Sequence, residues 1–365
     1  MEIAANQYFP IYITIIAITY AIITPRYLAY PWDRVLSTNR EAFITSGWLL
    51  IFVILFIGLR PISGQFVDMI NYRDYYFRLV HLDNPSFDTD TQNLIFDNWF
   101  NWLAVNRIDI RFFFLVMSVA YFTCMWWACR RWFPDDTLFA FLIFLSAFST
   151  FSYGTNGLKA GVASSIFLLA LSYRDKLWLS LLIALISWGI HHSMHVVLVA
   201  YLLVLLIKNP KWYLCGWMIC IALSFFQMDF MKEFFYGLTD SQGKEYLIQS
   251  GDQEWGGKTG FRADFLIYSA LPVAIGCWVI FFRGVKSKYY NILFNLYLTI
   301  NSMWLLCMYV PFNNRIAYLS WFLMPLVSIY PFLKYKFKSS QYSVVTTIGW
   351  GYLVFTLFMH FLYTG

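Results

Sequence analysis

Hydrophobic residues along this chain come in long unbroken runs, not in the alternation of a half-buried strand or the narrow stripe of a surface helix. The runs lie near residues 8–24, 43–59, 112–129, 137–152, 159–173, 177–193, 194–207, 212–227, 264–282, 290–308, 315–331 and 343–361. A helix needs about 17–25 apolar residues to cross a bilayer core. The pattern predicts an all-α polytopic membrane protein with about twelve transmembrane helices.

The sixth and seventh runs nearly merge through Ile190-His191-His192-Ser193-Met194-His195. Either the chain reverses there, helped by Gly189 and Ser193, or one long span crosses. Charge separates the two cases. With twelve spans, one set of connections carries 15 of the 26 basic residues, from Arg26 and Arg34 through Arg130, Arg131, Lys208 and Lys211 to Lys338. Against these stand only Asp33, Glu41, Asp135, Asp136 and Asp175, a net of +10, and the other set nets −4. Short basic loops stay in the cytoplasm, so this alternation favours the reversal. Both termini and the histidines then face outward.

Two outward segments are long, 60–111 and 228–263. In the first, Leu94, Ile95, Trp99, Trp102 and Leu103 recur at helical spacing beside Asp97, Asn98 and Asn101, which predicts an interfacial amphipathic helix. The second opens with a similar pattern, MDFMKEFFYGL, and continues as a glycine-rich charged loop. Its Tyr246, Trp255 and Phe261 suit either stacking on sugar rings or packing on the membrane surface. No polar stretch is long enough for a soluble domain, so residues 1–365 read as a single integral membrane domain.

Composition agrees. Of 365 residues, 60% are hydrophobic and 13% charged, about half the charge of a soluble domain. The N-terminus lacks the basic start and small-residue cleavage site of a signal peptide, so the first span is expected to be retained. Cys124, Cys129, Cys215, Cys220, Cys277 and Cys307 all fall within apolar runs and read as packing residues.

Three of the five histidines sit in the 190–195 stretch. A titratable cluster at the edge of a bilayer invites a functional reading, and imidazole moves protons near neutral pH. Arg60, Lys159, Arg262 and Arg315 lie at outward span ends. Each alone can simply snorkel to headgroups, while together with the histidines they make a cationic patch suited to a phosphate or diphosphate. Lys159 opens a span after Tyr153-Gly154-Thr155-Asn156-Gly157, where helix N–H groups add to anion binding. Asp68 is a candidate base or an ion-pair partner of Arg60, with Tyr72 one helical turn beyond. His191 and His195 have the spacing of a zinc helix but lack its glutamate. Asp88-Thr89-Asp90 has the look of metal-dependent sugar transfer, in a polar loop where such triplets arise by chance. No nucleotide-binding loop, serine-hydrolase elbow or nucleic-acid signature occurs.

The ordered set Gly58-Leu59-Arg60 with Asp68 and Tyr72, Lys159-Ala160-Gly161-Val162-Ala163, His191-His192-Ser193, and Arg315-Ile316-Ala317-Tyr318 resembles the EpsG-like, Wzy-type polymerases of bacterial O-antigens and exopolysaccharides. The pieces are similar to that family's G-x-R … D-x-x-x-Y, R-Q-x-x-A, H-x-S and R-x-x-Y. Lys159 and Ala160 depart from its usual Arg-Gln, and lysine holds phosphate as a point charge without the bidentate fork.

The resemblance implies a GT-C-like glycosyltransferase in the bacterial inner membrane, its active site facing the periplasm. It would join undecaprenyl-diphosphate-linked oligosaccharide repeats, passing the growing chain from its lipid diphosphate to a sugar hydroxyl of the next unit. Implied roles are His191 as base, with His192 and Asp68 as substitutes. Arg60, Lys159, Arg315 and Arg262 would hold the diphosphate, and Tyr72, Asn156 and Tyr318 the rest of the substrate. No cofactor, metal or nucleic acid is expected. The implied partners are the lipid-linked oligosaccharides, the bilayer, a chain-length regulator and a flippase. The alternatives are an O-antigen ligase using the same donor, a transporter or flippase of lipid-linked oligosaccharides, and a metal-dependent transferase working through Asp88 and Asp90.

Overall fold

The computed structural model describes residues 3–29, 38–81, 87–226, 260–310, 313–338 and 340–364. It divides into two compact units, Met1–Leu198 with Phe332–Gly365, and Val199–Pro331. Among the described residues every regular element is helical.

In the first unit the helices are α1 (Tyr8–Ala29), α2 (Asn39–Gly58), α3 (Val67–Val80), α4 (Leu94–Val105), α5 (Ile110–Trp132), α6 (Thr137–Ser146), α7 (Phe148–Thr155), α8 (Leu158–Ser172) and α9 (Leu177–Ile190). Then come the start of α10 (Met194–Leu206) and, at the end of the chain, α16 (Gln341–Thr364). The second unit holds the rest of α10, α11 (Pro210–Phe225), α12 (Ala263–Cys277), α13 (Lys288–Leu306), α14 (Asn313–Trp321) and most of α15 (Met324–Lys334). A five-residue π turn, Trp278–Phe282, extends α12.

Each of the twelve predicted stretches is helical, but they are not twelve equal spans. Among the described residues, six helical stretches are each long and apolar enough to cross a membrane: Ala5–Ala29, Asn39–Gly58, Ile110–Trp132, Ala263–Phe282, Asn313–Lys334 and Gln341–Leu362. Helices α8, α9 and α10 are shorter apolar helices. Several helices also leave large apolar residues exposed, such as Ile18, Trp48, Trp178 and Phe358. Lipid solvates such a surface at no cost, and it must meet every backbone group internally.

The fourth stretch, 137–152, is expected as one span and is instead two helices. Helices α6 and α7 meet at Ala147 with a bend of 76°. The carbonyls freed by the break are met by hydroxyls from three directions. Tyr12 of α1 donates to Leu145 O at 2.7 Å, Thr356 of α16 to Ser146 O at 2.7 Å, and Thr150 to Phe144 O at 2.6 Å. A break buried among helices is stable because none of these acceptors is left without a donor.

Around this core, α5 packs on α2 and α8, and α8 on α9. Buried polar contacts set the registers: Trp126 Nε1 donates to Ser46 Oγ at 2.8 Å, and Ser118 Oγ to Ile54 O at 3.0 Å. At one end of the unit, Arg130 reaches Asn39 Oδ1 at 2.7 Å and Arg131 pairs with Asp175 at 3.2 Å. Near them in kind, Tyr342 donates to the Asp136 carboxylate at 3.3 Å, and burial pushes that carboxyl up to about 6. All of these residues come from the loops or helix ends of the basic set.

In the second unit α11 packs on α13 and α13 on α14. Buried side-chain pairs join them: Trp217 Nε1 to Asn301 Oδ1 at 2.8 Å, Asn301 Nδ2 to Ser320 Oγ at 3.0 Å, and Trp321 Nε1 to Ser269 Oγ at 2.8 Å.

Candidate functional site

The first unit gathers most of the predicted site residues at the junction of α7 with α8. Helix α7 ends at Thr155, Asn156 is extended, and Gly157 takes φ +76°, a left-handed conformation that glycine adopts at little cost. Helix α8 then starts at Leu158. Its first N–H groups meet Asp68 from the first turn of α3: Asp68 Oδ2 accepts from Gly157 N–H at 2.5 Å and from Leu158 N–H at 3.4 Å. Asn156 Oδ1 accepts the Asp68 N–H in return, at 3.4 Å. Asp68 therefore serves as an anionic cap on α8.

Arg60 is 4% exposed. Its Nη1 donates to Ile57 O at 2.6 Å and its Nη2 to Thr155 O at 3.0 Å, so one guanidinium caps the C-terminal ends of α2 and α7 together. The Phe66 and Phe114 rings flank it at 5.1 and 5.9 Å, and Nε is buried without a hydrogen-bond partner. Burial pulls this group down to about 10, against the opposing effect of Tyr8 and Asp68. It stays a cation at neutral pH. Two of its donors are spent on the backbone, which favours a positioning role over direct contact with substrate.

Lys159, at the second position of α8, has Nζ 3.9 Å from Asp97 Oδ1 and 5.0 Å from the centre of the Phe96 ring. Both acidic groups that act on it, Asp97 and Asp68, come from the first long segment between spans, 60–111. Helix α4, predicted there, is present. Phe96, Phe100, Leu103 and Ala104 turn inward, while Leu94, Ile95 and Trp102 are exposed. Tyr72 of α3 lies in the aromatic cluster this creates, 5.8 Å from Phe96 and Phe100 and 5.2 Å from Phe113. Tyr76 fixes the other end of α3 by donating to Ile108 O at 2.7 Å.

Helices α9 and α10 are separate, parted at His191–Ser193 with His191 extended, where the sequence places the break. His191 and His192 are half-buried and their rings stack at 4.8 Å. His191 Nδ1 faces the Ser193 N–H at 3.1 Å and hydroxyl at 2.8 Å. His192 turns to Asn93, the residue before α4. Its backbone N–H donates to Asn93 Oδ1 at 2.9 Å, and its Nδ1 lies 3.3 Å from the same oxygen. Asn93 Nδ2 in turn donates to Asp97 Oδ2 at 3.1 Å. Asp97, Asn93, His192 and Lys159 thus form one connected network. Sequence reading leaves Asn93 out of the site and treats Asp97 as polar-face decoration, because nothing in α4 itself signals partners on α8 and α9.

Arg262, Arg315 and Tyr318 belong to the second unit. Arg262 is paired with Asp264 through two contacts, at 2.9 and 2.5 Å, and lies over the Phe265 ring at 4.2 Å. Arg315 is exposed in the first turn of α14, and the Tyr318 ring is 5.5 Å from Trp321. Phe261 meets Phe225 edge-on at 5.4 Å. Tyr246, Trp255 and the predicted helix opening the second long loop lie outside the described residues.

The Asp88-Thr89-Asp90 triplet has a local explanation. Asp88 Oδ1 accepts the Asp90 N–H at 2.9 Å, and Asn98 brackets Asp88 through its N–H at 2.8 Å and carbonyl at 2.9 Å. The pair forms an Asx turn that joins the loop to α4. His195 Nδ1 donates to His192 O at 2.7 Å, so the histidine at zinc-helix spacing serves the turn.

The model of the EpsG family, polysaccharide-polymerase-type membrane proteins, matches residues 45–365. The chain belongs to the EpsG family. As a member it is a membrane protein of polysaccharide-polymerase type. The matched stretch takes in all of α3 to α16 and every motif on which the resemblance rests. No curated protein and no solved structure matches the chain.

Proposed function

We propose that this EpsG-family protein polymerises undecaprenyl-diphosphate-linked oligosaccharide repeats on the periplasmic face of the bacterial inner membrane. The anomeric carbon of the growing chain leaves its lipid diphosphate and bonds to a sugar hydroxyl of the incoming unit. That chemistry needs a proton acceptor for the hydroxyl and cations for the departing diphosphate. The observation that carries the reading is the network joining Lys159 to His192 through Asp97 and Asn93. One carboxylate, Asp97, pairs with the Lys159 cation and holds the Asn93 side chain that meets the His192 imidazole, against which His191 stacks.

In this reading Lys159 binds the diphosphate as a point charge and Arg60 positions the ends of α2 and α7 beside it. Asp68 holds the start of α8, with Asn156 as its counterpart, and Tyr72 backs α4. His191 and His192 handle protons. Arg315 is proposed as a further cation for the substrate on its motif alone, with Tyr318 beside it in that motif. Arg262 is a weaker candidate because Asp264 already neutralises it.

The experiment is to give the purified protein a lipid-linked repeat and resolve the products by size. A ladder of longer glycans supports polymerisation. If the lipid-linked repeat instead crosses a vesicle membrane unlengthened, the transporter reading replaces this one.

A further inference from the structure

The stacked rings of His191 and His192, 21° from parallel, meet opposite kinds of partner. A backbone N–H only donates. The Ser193 N–H at 3.1 Å therefore requires a lone pair on His191 Nδ1, and the neutral ring carries its proton on Nε2. His192 meets the reverse. Its own backbone N–H marks the Asn93 atom as an oxygen, so His192 Nδ1, 3.3 Å from that oxygen, must donate. A neutral His192 then has its lone pair on Nε2.

The orientation of Asn93 is itself fixed. The residue is 6% exposed. Asp97 Oδ2 accepts from Asn93 Nδ2 at 3.1 Å and from the Asn93 backbone N–H at 3.2 Å, so the amide cannot turn over without placing oxygen against carboxylate. The other oxygen of Asp97 faces Lys159 Nζ at 3.9 Å.

We propose, building on the glycosyl-transfer reading, that Asn93 is a positioning residue. Held by Asp97, it keeps His192 in the Nδ1–H form and makes His192 Nε2 the proton acceptor, while the stacked His191 is a hydrogen-bond donor through Nε2–H. The base thus moves one residue along from His191, the choice the sequence suggests. In the transfer step the acceptor hydroxyl oxygen bonds to the anomeric carbon and its proton passes to His192 Nε2. The bond from the anomeric carbon to the diphosphate oxygen breaks, and its electron pair leaves with the diphosphate. Lys159 and the Nε2–H of His191 stabilise that oxygen, and His192 later releases its proton to water. Because Asp97 holds both Lys159 and Asn93, one carboxylate sets the spacing between proton acceptor and anion site. An imidazole presenting the wrong tautomer cannot take the proton in place, as orienting residues in other general-base sites demonstrate.

The first test needs no substrate. The full-length protein is purified with nitrogen-15 histidine, and the ring-nitrogen resonances report each tautomer at a pH where the rings are neutral. Spectra of His191→Gln and His192→Gln assign the signals. The expected result is Nδ1–H at His192 and Nε2–H at His191, with Asn93→Ala returning His192 to the Nε2–H form that prevails in water. Finding Nε2–H at His192 in the unaltered protein overturns the proposal, whatever the variants do.

The second test uses the polymerisation assay. Asn93→Ala should lower kcat by about 10–100-fold, within the span of general-base effects, while KM for the lipid-linked repeat changes less than about twofold. A wild-type kcat in Asn93→Ala also overturns it. Tautomers as expected in a protein that makes no polymer would overturn the glycosyl-transfer reading and leave the positioning of His192 standing.

Discussion

The Asp68 carboxylate closes on the Gly157 N–H at 2.5 Å across 89 positions of sequence. This contact ties the segment after α2 to the start of the helix that carries Lys159, and it predicts how Asp68 responds to substitution. Asp68→Ala should cost about 1–2 kcal/mol of stability, the usual loss for an N-terminal cap. Asp68→Asn, which still offers an oxygen, should cost less than half as much and keep polymerising activity. Thermal unfolding in detergent, paired with the glycan ladder, checks both. A stable but inactive Asp68→Asn would instead make Asp68 the base.

Arg60 and Arg315 should separate cleanly. Arg60→Ala leaves the Ile57 and Thr155 carbonyls without their donor and opens a buried void, so about 2–4 kcal/mol should be lost. Arg60→Lys should restore only part of it, since one ammonium does not replace the fork. Arg315 is exposed, and Arg315→Ala should change stability by no more than about 0.5 kcal/mol. Its proposed part is with the substrate, so its activity should fall. Equal melting temperatures for Arg60→Ala and Arg315→Ala would contradict this division.

Helices α7 and α8 cross closely at Gly161, where an added Cβ would lie 2.7 Å from the Tyr153 carbonyl oxygen. The obstacle is backbone, so Gly161→Ala must push the helices apart and should cost about 1–3 kcal/mol. Gly351 of α16 has open space around it, and Gly351→Ala is the neutral control. A Gly161→Ala protein as stable as Gly351→Ala would show that the crossing is looser than described.

Asp136 gives a pH dependence. Burial raises its carboxyl to about 6 in the folded protein, from the ordinary value of 3.8. The folded state therefore binds this proton more tightly than the unfolded chain, and stability falls as pH rises from about 4 to about 6. Asp136→Asn does not ionise and should lack this fall. Melting temperatures of both proteins from pH 4 to 8 should diverge across that window. Parallel curves would contradict the assignment.

How much of this is legible in the sequence depends on the range of the interactions. The break at His191–Ser193 is readable because polar side chains interrupt an apolar run and loop charges alternate around it. The bend at Ala147 is not, since FAFLIFLSAFSTF carries only the small hydroxyl residues Ser146, Ser149 and Thr150 among apolar ones, and the break depends also on hydroxyls from Tyr12 and Thr356, far away in the chain. Arg60, Asp68 and Lys159 can be picked out as a group, but not their tasks. The carbonyls of Ile57 and Thr155 that Arg60 caps have no sequence signature. Asn93 and Asp97 escape notice for the same reason. Just before α4 and on it, they look like the cap and the wet side of an amphipathic helix, and the partner that gives Asn93 meaning is 99 positions distant.

The most direct measurement of the central claim counts two products in one reaction. Purified protein is given a lipid-diphosphate-linked repeat, and both new glycosidic bonds and released lipid diphosphate are quantified. Polymerisation by transfer from the lipid-linked chain predicts a ladder with one lipid diphosphate released for each bond formed. A ladder without that release, or no ladder from a verified substrate, would contradict the account.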